Sequence, residues 1–545
     1  MGTQVKRSFI KGAAILGIAA LLSKVLGAVY RIPYQNITGD IGLGVYSKVY
    51  PIYSMLLILA TAGFPIAISK LVSEHLAVGD KKGAKRILKI SIYVLTATGT
   101  LFFLALFFGA NRLAVWMGNQ ELSLAIKSVS FALLIVPAMA AFRGYYQGHQ
   151  FMTPTAYSQI VEQIVRVATI LVLSYWFMTQ PQYGVYYAGA GAVFGAFTGA
   201  VFSFIVLILF WRKASVFTDE IAAEVPVVES QELPTIDVIK RILYYALPIA
   251  LGSLIIPLLG VVDSFTVSNM LQYTGFSVID SEYWFGVYTR GQPLVMFASF
   301  FAISLSLALV PSISEAQVKN DQQLIISRSE LALRLSLNIG LPASVGLAVL
   351  AEPINIMLYE NSAGTNTLTA LAFTTVFAII EITSSGILQG IGQVTLPAKN
   401  LFIGILVKLL LNLLLITQFG IIGAAIATVF GYGLAALLNM IAINKYIGFK
   451  IGVVNFFLKP TIAVSIMALV VWISKLTLLT ILLPMISSER LVMAIVALLS
   501  VGIGIIALAV SLFISGAITK EDLSNIPRFG DKLIRITKKL RILKG

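Results

Sequence analysis

Four cations sit inside or at the edges of long apolar runs: Lys24, Arg31, Lys48 and Arg290. A charge at the centre of a hydrocarbon layer costs about 2.5–3.5 kcal/mol on insertion scales, so such groups face a cavity or a partner. Ringing one cavity, guanidinium and ammonium groups would give charge-assisted hydrogen bonds to an anion, and to a diphosphate in particular. The plainer reading has Arg31 and Lys48 snorkel to the membrane interface. Glu162 and Arg166 stand four apart, the spacing that puts an acid and a base on one helix face, and a self-neutralising pair is the favoured account of them. Asp263 and Lys408 form a candidate charge pair or ion site, with Asn412 one turn from Lys408 and Thr428 nearby. An acid amid neutral oxygens binds Na⁺ or a proton, unless Lys408 supplies the cation permanently.

Covalent and metal chemistry find little material. Cysteine is absent and only His75 and His149 exist, which leaves no thiolate, triad or histidine metal site to build. No phosphate-binding G-x-x-x-x-G-K-[ST], H-E-x-x-H or G-x-S-x-G signature occurs. The expectation is a protein that is not an enzyme, with no metal and no cofactor. Any transport would draw on a Na⁺ or H⁺ gradient, the membrane potential or the substrate's own gradient.

The elements that must position these residues are membrane helices. The 545-residue chain is 58% hydrophobic and 12% charged, with a mean hydropathy of +0.91, far from the composition of soluble domains. Apolar runs of about 20 residues, enough to cross about 30 Å of hydrocarbon as a helix, recur fourteen times between residues 12 and 515. The fold class is therefore an all-α integral membrane protein with 14 transmembrane helices. An even number puts both termini on one side. Lys70, Lys81, Lys82, Lys85, Arg86 and Lys89 in one loop, and the tail from Lys520 to Lys544, mark that side as cytoplasmic. The net charge of +15 then reports contact with anionic lipids and not with nucleic acid.

The chain also repeats itself. Pro51 recurs as Pro293, Ser73-Glu74 as Ser314-Glu315, and Gly144-x-x-Gln147-Gly148 as Gly386-x-x-Gln389-Gly390, at offsets of 241 or 242. Val193-Phe194-Gly195 recurs as Val429-Phe430-Gly431, and Gly184 as Gly420, at 236. Six spans per unit preserve orientation, so the halves are expected as two parallel six-helix lobes followed by two extra C-terminal helices. The expected division is an N-lobe over 1–214, a cytoplasmic linker over 215–240 with an acidic stretch from Asp219 to Glu232, a C-lobe over 241–450, helices thirteen and fourteen over 451–516, and a basic tail over 517–545. Pro248 and Pro257 make helix seven a candidate bending element. Gly191, Gly195 and Gly199 form a small-residue packing ridge on helix six.

Three stretches carry a family resemblance: Ser23-Lys24-Val25-Leu26-Gly27; Tyr288-Thr289-Arg290 with Pro311-Ser312-Ile313-Ser314; and the two Gly-x-x-Gln-Gly copies. Together with the six, six and two plan they resemble the MurJ/SpoVB-type lipid flippases of the multidrug/oligosaccharidyl-lipid/polysaccharide (MOP) exporter superfamily. The linker and the Gly-x-x-Gln-Gly copies look like its Bacillus-type branch. The resemblance implies a polyprenyl-diphosphate-linked sugar as substrate, first of all the peptidoglycan precursor lipid II, moved to the outer leaflet by alternating access. It implies that cavity cations hold the diphosphate and that the two extra helices help shape a groove for the prenyl tail. Lys24 and Arg290 match the family's functional cations, and Arg31 lies beside one. A further cation expected midway along helix two is replaced by Leu56 and Leu57, and Lys408 departs from ion-binding relatives. Implied too are a bacterial cytoplasmic membrane, a monomer, and the cell-wall synthesis machinery as a partner. The competing readings are a flippase for another undecaprenyl-linked polysaccharide and a MATE-like cation-coupled drug exporter. The exporter should stop at twelve helices and favour cavity acids.

Overall fold

The computed structural model describes residues 15–17, 19, 22–23, 25–221, 234–448, 452 and 454–517. Lys24, the linker from 222 to 233 and the tail beyond 517 lie outside the described residues. Among the described residues there is no strand. Hydrocarbon offers backbone groups no hydrogen bonds, so each spanning segment must satisfy its own as a helix. Thirteen described segments are long and apolar enough to cross a membrane, from Val25–Ala77 to Glu489–Ile514. They coincide with expected helices two to fourteen, the first also taking in the end of helix one. Large apolar side chains point outward along them, Phe108 at 75% exposure and Leu307 at 72%, as lipid-facing positions should. The chain is a multi-pass membrane protein.

Two compact units divide it, Met1–Gly286 and Val287–Gly545. The first holds α1 (Arg31–Thr61), α2 (Phe64–Ala77), α3 (Lys81–Trp116), α4 (Leu122–Ser130), α5 (Ala132–Gly148), α6 (Thr153–Thr179), α7 (Val185–Ile221), α8 (Thr235–Ser253) and α9 (Ile255–Tyr273). Helix α10 (Val278–Thr289) runs across the division. The division falls later than the lobe start at 241 because α8 packs on α2 and α3, and α9 packs on α1. At that last contact Gly260 meets Pro51, so closely that an added Cβ would lie 2.8 Å from the proline ring. Helix seven is interrupted at Leu254, between α8 and α9. Pro257 has no N–H for the carbonyl of Ser253 and its ring clashes there, which explains why the break lies just before it.

The second unit holds α11 (Gln292–Val318), α12 (Gln322–Val349), α13 (Ala351–Tyr359), α14 (Thr365–Ala372), α15 (Thr374–Gly390), α16 (Leu396–Phe419), α17 (Ile421–Ile447), α18 (Lys459–Leu482) and α19 (Glu489–Ile514). The extra helices α18 and α19 pack on α12 and α13. Val464, Met467, Val471 and Ala497 meet Leu350 and Ile354 in one buried cluster.

The internal repeat is visible in the backbone. Left-handed residues recur at 241 or 242 as Gly79 and Asn320, Gly118 and Glu360, and Gln150 and Gly392. The fourth span of each repeat is split at the same place, at Phe131 between α4 and α5 and at Phe373 between α14 and α15. Even the caps correspond: Asp80 accepts from the Gly83 N–H at 2.7 Å and Asp321 from the Leu324 N–H at 2.9 Å. Each carboxylate satisfies an N–H that the helix start leaves open.

Candidate functional site

In the first unit Lys48 projects from α1 and is fully buried. Its ammonium pairs with the Glu282 carboxylate of α10, donates to the Met117 carbonyl at 3.1 Å and lies 5.4 Å from the centre of the Phe285 ring. Lys48 therefore does not snorkel; its charge is neutralised inside the protein. Glu282, also fully buried, carries the other half of this arrangement and sequence reasoning did not single it out.

A second cluster joins α5, α6 and α7. Glu162 accepts from Arg166 at 2.6 Å and from Arg143 at 2.8 Å. Arg143 also donates to Ser158 and Ser203, both at 3.0 Å. The expected Glu162–Arg166 pair is thus a triad of two guanidiniums on one carboxylate, and it carries an excess positive charge. The Arg166 Nε is buried with no hydrogen-bond partner. The glycine ridge makes the cluster compact: an added Cβ at Gly199 would lie 2.6 Å from the Glu162 carbonyl, and one at Gly195 2.9 Å from that of Arg166.

Beside this triad runs a row of tyrosines on α1 and at its N-cap. The Tyr30 hydroxyl donates to that of Tyr46, Tyr46 stacks on Tyr50 at 5.4 Å with an interplanar angle of 18°, and Tyr50 lies 5.9 Å from Tyr53. Arg166 is within electrostatic reach of Tyr46, Tyr50 and Tyr53. Arg31 is half-buried with its guanidinium 6.0 Å from the centre of the Tyr46 ring. Cations and aromatic faces together suit an anionic, polyhydroxylated headgroup.

In the second unit Arg290 is 1% exposed. One terminal nitrogen donates to Asn361 Oδ1 at 2.9 Å, Asn355 Oδ1 at 3.1 Å and the Ala363 carbonyl at 3.2 Å. The Tyr359 hydroxyl donates to the Arg290 carbonyl at 2.8 Å, and its ring centre lies 5.1 Å from the guanidinium carbon. Lys48 and Arg290 hold equivalent places in the repeat. Gly44-Val45-Tyr46-Ser47-Lys48-x-x-Pro51 recurs as Gly286-Val287-Tyr288-Thr289-Arg290-x-x-Pro293, and each cation binds the turn that ends the helix in front of Gly118 or Glu360. Those turns match in detail: Asn119 Oδ1 accepts from the Glu121 N–H and Asn361 Oδ1 from the Ala363 N–H, both at 3.0 Å. The eight-residue copy was the signal that could have paired these two cations from sequence.

Asp263 is buried on α9 in the first unit. Lys408 and Asn412 are buried one turn apart on α16 in the second, and Thr428 on α17 shares a 2.9 Å hydrogen bond with the Tyr288 hydroxyl. An apolar cavity of about 330 Å³ opens between α12, α13, α18 and α19, lined among others by Asn338, Pro342, Gly346, Met467, Val471 and Leu508.

The family model described as "Polysaccharide biosynthesis protein" matches residues 9–317. YabM, an uncharacterized membrane protein of Bacillus subtilis (strain 168), is 34% identical over 538 residues, 98% of each chain. The lipid II flippase MurJ of the same organism is 30% identical over 460 residues, covering 81% of this chain and 83% of that one. The chain belongs to the polysaccharide biosynthesis protein family, in its MurJ/SpoVB-type branch. The MurJ-like fold extends to a solved structure: lipid II flippase MurJ in an inward closed conformation superposes with a TM-score of 0.64 at 17% identity, over 91% of this chain and 98% of that one. Helices α18 and α19 lie outside the twelve-helix repeat in this MurJ-like chain.

Proposed function

We propose that this chain is a flippase that carries a polyprenyl-diphosphate-linked glycan, lipid II first among the candidates, from the inner to the outer leaflet of a bacterial cytoplasmic membrane by alternating access. The observation that supports it most is the excess positive charge held within spans of the first unit, two guanidiniums on the single Glu162 carboxylate beside a tyrosine row. A cation kept at that cost is matched by an anion that crosses the same layer. Arg31 and Arg166 are the proposed diphosphate contacts in the first unit, with Lys24 as the family cation outside the described residues. Arg290 holds the second unit's corresponding turn in the shape the headgroup meets. Lys48 reaches substrate only if Glu282 gives it up. In the second unit Lys408, Asn412 and Thr428 remain a proposed ion or charge site, Asp263 remains a candidate in the first, and the termini are proposed as cytoplasmic.

The prenyl tail has a place in this reading, the apolar cavity against α18 and α19. Gly346 borders it with room to spare, since an added Cβ would meet only Met467 Cε, at 3.9 Å. Gly346→Leu should fill the cavity, leave thermal stability equal or higher, and slow flipping of a fluorescent polyprenyl-diphosphate sugar in proteoliposomes, read by quenching of the outer-leaflet label. Wild-type flipping with no effect of Gly346→Leu would remove the tail from this cavity; no flipping by the wild type would remove the function. A drug exporter is the weaker reading, because an excess cation repels cationic drugs.

A further inference from the structure

We propose that Glu381 is a proton-binding site inside the second unit, and that transport is linked to its titration. The link to transport rests on the function proposed above; the proton site does not.

Glu381 lies on α15 in a membrane span and is 7% exposed. One carboxyl oxygen accepts from the Ser385 hydroxyl at 2.8 Å. Behind that hydroxyl stands a buried amide relay: the Asn439 amide nitrogen donates to Ser384 Oγ at 3.1 Å and to Ser385 Oγ at 3.2 Å, and Asn439 Oδ1 accepts from the Asn400 amide nitrogen at 2.8 Å. Helices α15, α16 and α17 each contribute to the chain.

Every group in this network besides Glu381 is neutral. The helices packed against α15 carry Glu315 on α11; Arg328, Glu330 and Arg334 on α12; Lys399 and Lys408 on α16; and Tyr432, Lys445 and Tyr446 on α17, with no titratable group on α14. Among the described residues none of them forms an ion pair or hydrogen bond with Glu381. This separates it from Glu162 and Glu282 of the first unit, which both sit on cations. An ionised carboxylate so placed carries the full cost of a buried charge, and a bound cation removes it.

The orientation of the amides selects the proton over a metal ion. Asn439 turns its N–H donors toward the serines and its oxygen away to Asn400, so a metal ion beside Ser384 and Ser385 would meet donors where it needs oxygens. A proton needs only the carboxyl: the O–H bond forms on Glu381 and breaks again when the proton leaves to water.

The test is pH-difference infrared spectroscopy on the full chain in lipid nanodiscs. The wild type should show a protonated-carboxyl band that titrates, is absent in Glu381→Gln, and changes frequency in Ser385→Ala because the hydroxyl hydrogen bond is gone. No difference between wild type and Glu381→Gln overturns the site. Loss of the band on adding Na⁺ at constant pH makes it a metal site and overturns the proton assignment. In proteoliposomes the pH dependence of flipping should flatten in Glu381→Gln. An unchanged profile alongside a lost band overturns the link to transport alone, and absence of flipping in the wild type at every pH sinks the flippase reading while leaving the spectroscopic result intact.

Discussion

Arg290→Ala should abolish most transport and lower thermal stability together. Its guanidinium ties the turn after α10 to α13 and to the loop before α14 through Asn355, Asn361 and Ala363. Asn361 Oδ1 keeps the Ala363 N–H and the Ala363 carbonyl keeps the Asn355 amide, at 3.0 and 2.7 Å. Asn355 Oδ1 is therefore the acceptor that suffers most, and one stranded buried acceptor plus the lost charged hydrogen bonds amounts to about 2–4 kcal/mol. Arg290→Lys keeps the charge without the planar fork, so stability should recover in part. If the shape of this turn meets the headgroup, Arg290→Ala should slow flipping roughly ten- to hundredfold, the equivalent of about 1.5–3 kcal/mol. Normal flipping by a destabilised Arg290→Ala would make the residue structural only.

The second large effect concerns the ion pair in the equivalent place. Glu282→Ala strands the Lys48 ammonium and Lys48→Met strands the Glu282 carboxylate, and breaking a buried pair from one side costs about 3–5 kcal/mol. The double variant Lys48→Met/Glu282→Gln strands no charge and should regain most of the loss, read by thermal unfolding of the four proteins in the same lipid. The same variant decides what Lys48 does in transport. Wild-type flipping assigns it to packing, whereas a folded protein that flips poorly shows that Lys48 leaves Glu282 for the substrate during the cycle. Failure of the double variant to recover stability would contradict the pairing itself.

The spans were legible because hydrocarbon thickness fixes their length, and the repeat because its Pro, Gly and Gln positions keep one offset. The structure extends that repeat to left-handed residues and to the capping Asp80 and Asp321. The i, i+4 pair of Glu162 and Arg166 was legible for the same local reason. Partners distant in sequence were not. Glu282 stands 234 residues from Lys48, and nothing in the local spacing of either indicates the other. Arg143 sits near the end of its span, where a basic residue reads as an interface anchor; only the fold turns it onto Glu162. Glu381 was hidden by its own run, whose high mean hydropathy marks a span and draws attention away from the one acid inside it.

A chain that moves a diphosphate-linked lipid between leaflets sets which leaflet that lipid occupies. The most direct measurement is the accessibility of lipid II to an outside label in cells depleted of this protein and of every other flippase. Lipid II should accumulate in the inner leaflet and outside labelling should stop, and wild type should restore labelling while Arg290→Ala does not. Unchanged labelling in depleted cells would contradict lipid II as the cargo, and unchanged labelling of every other polyprenyl-linked glycan as well would contradict the flippase.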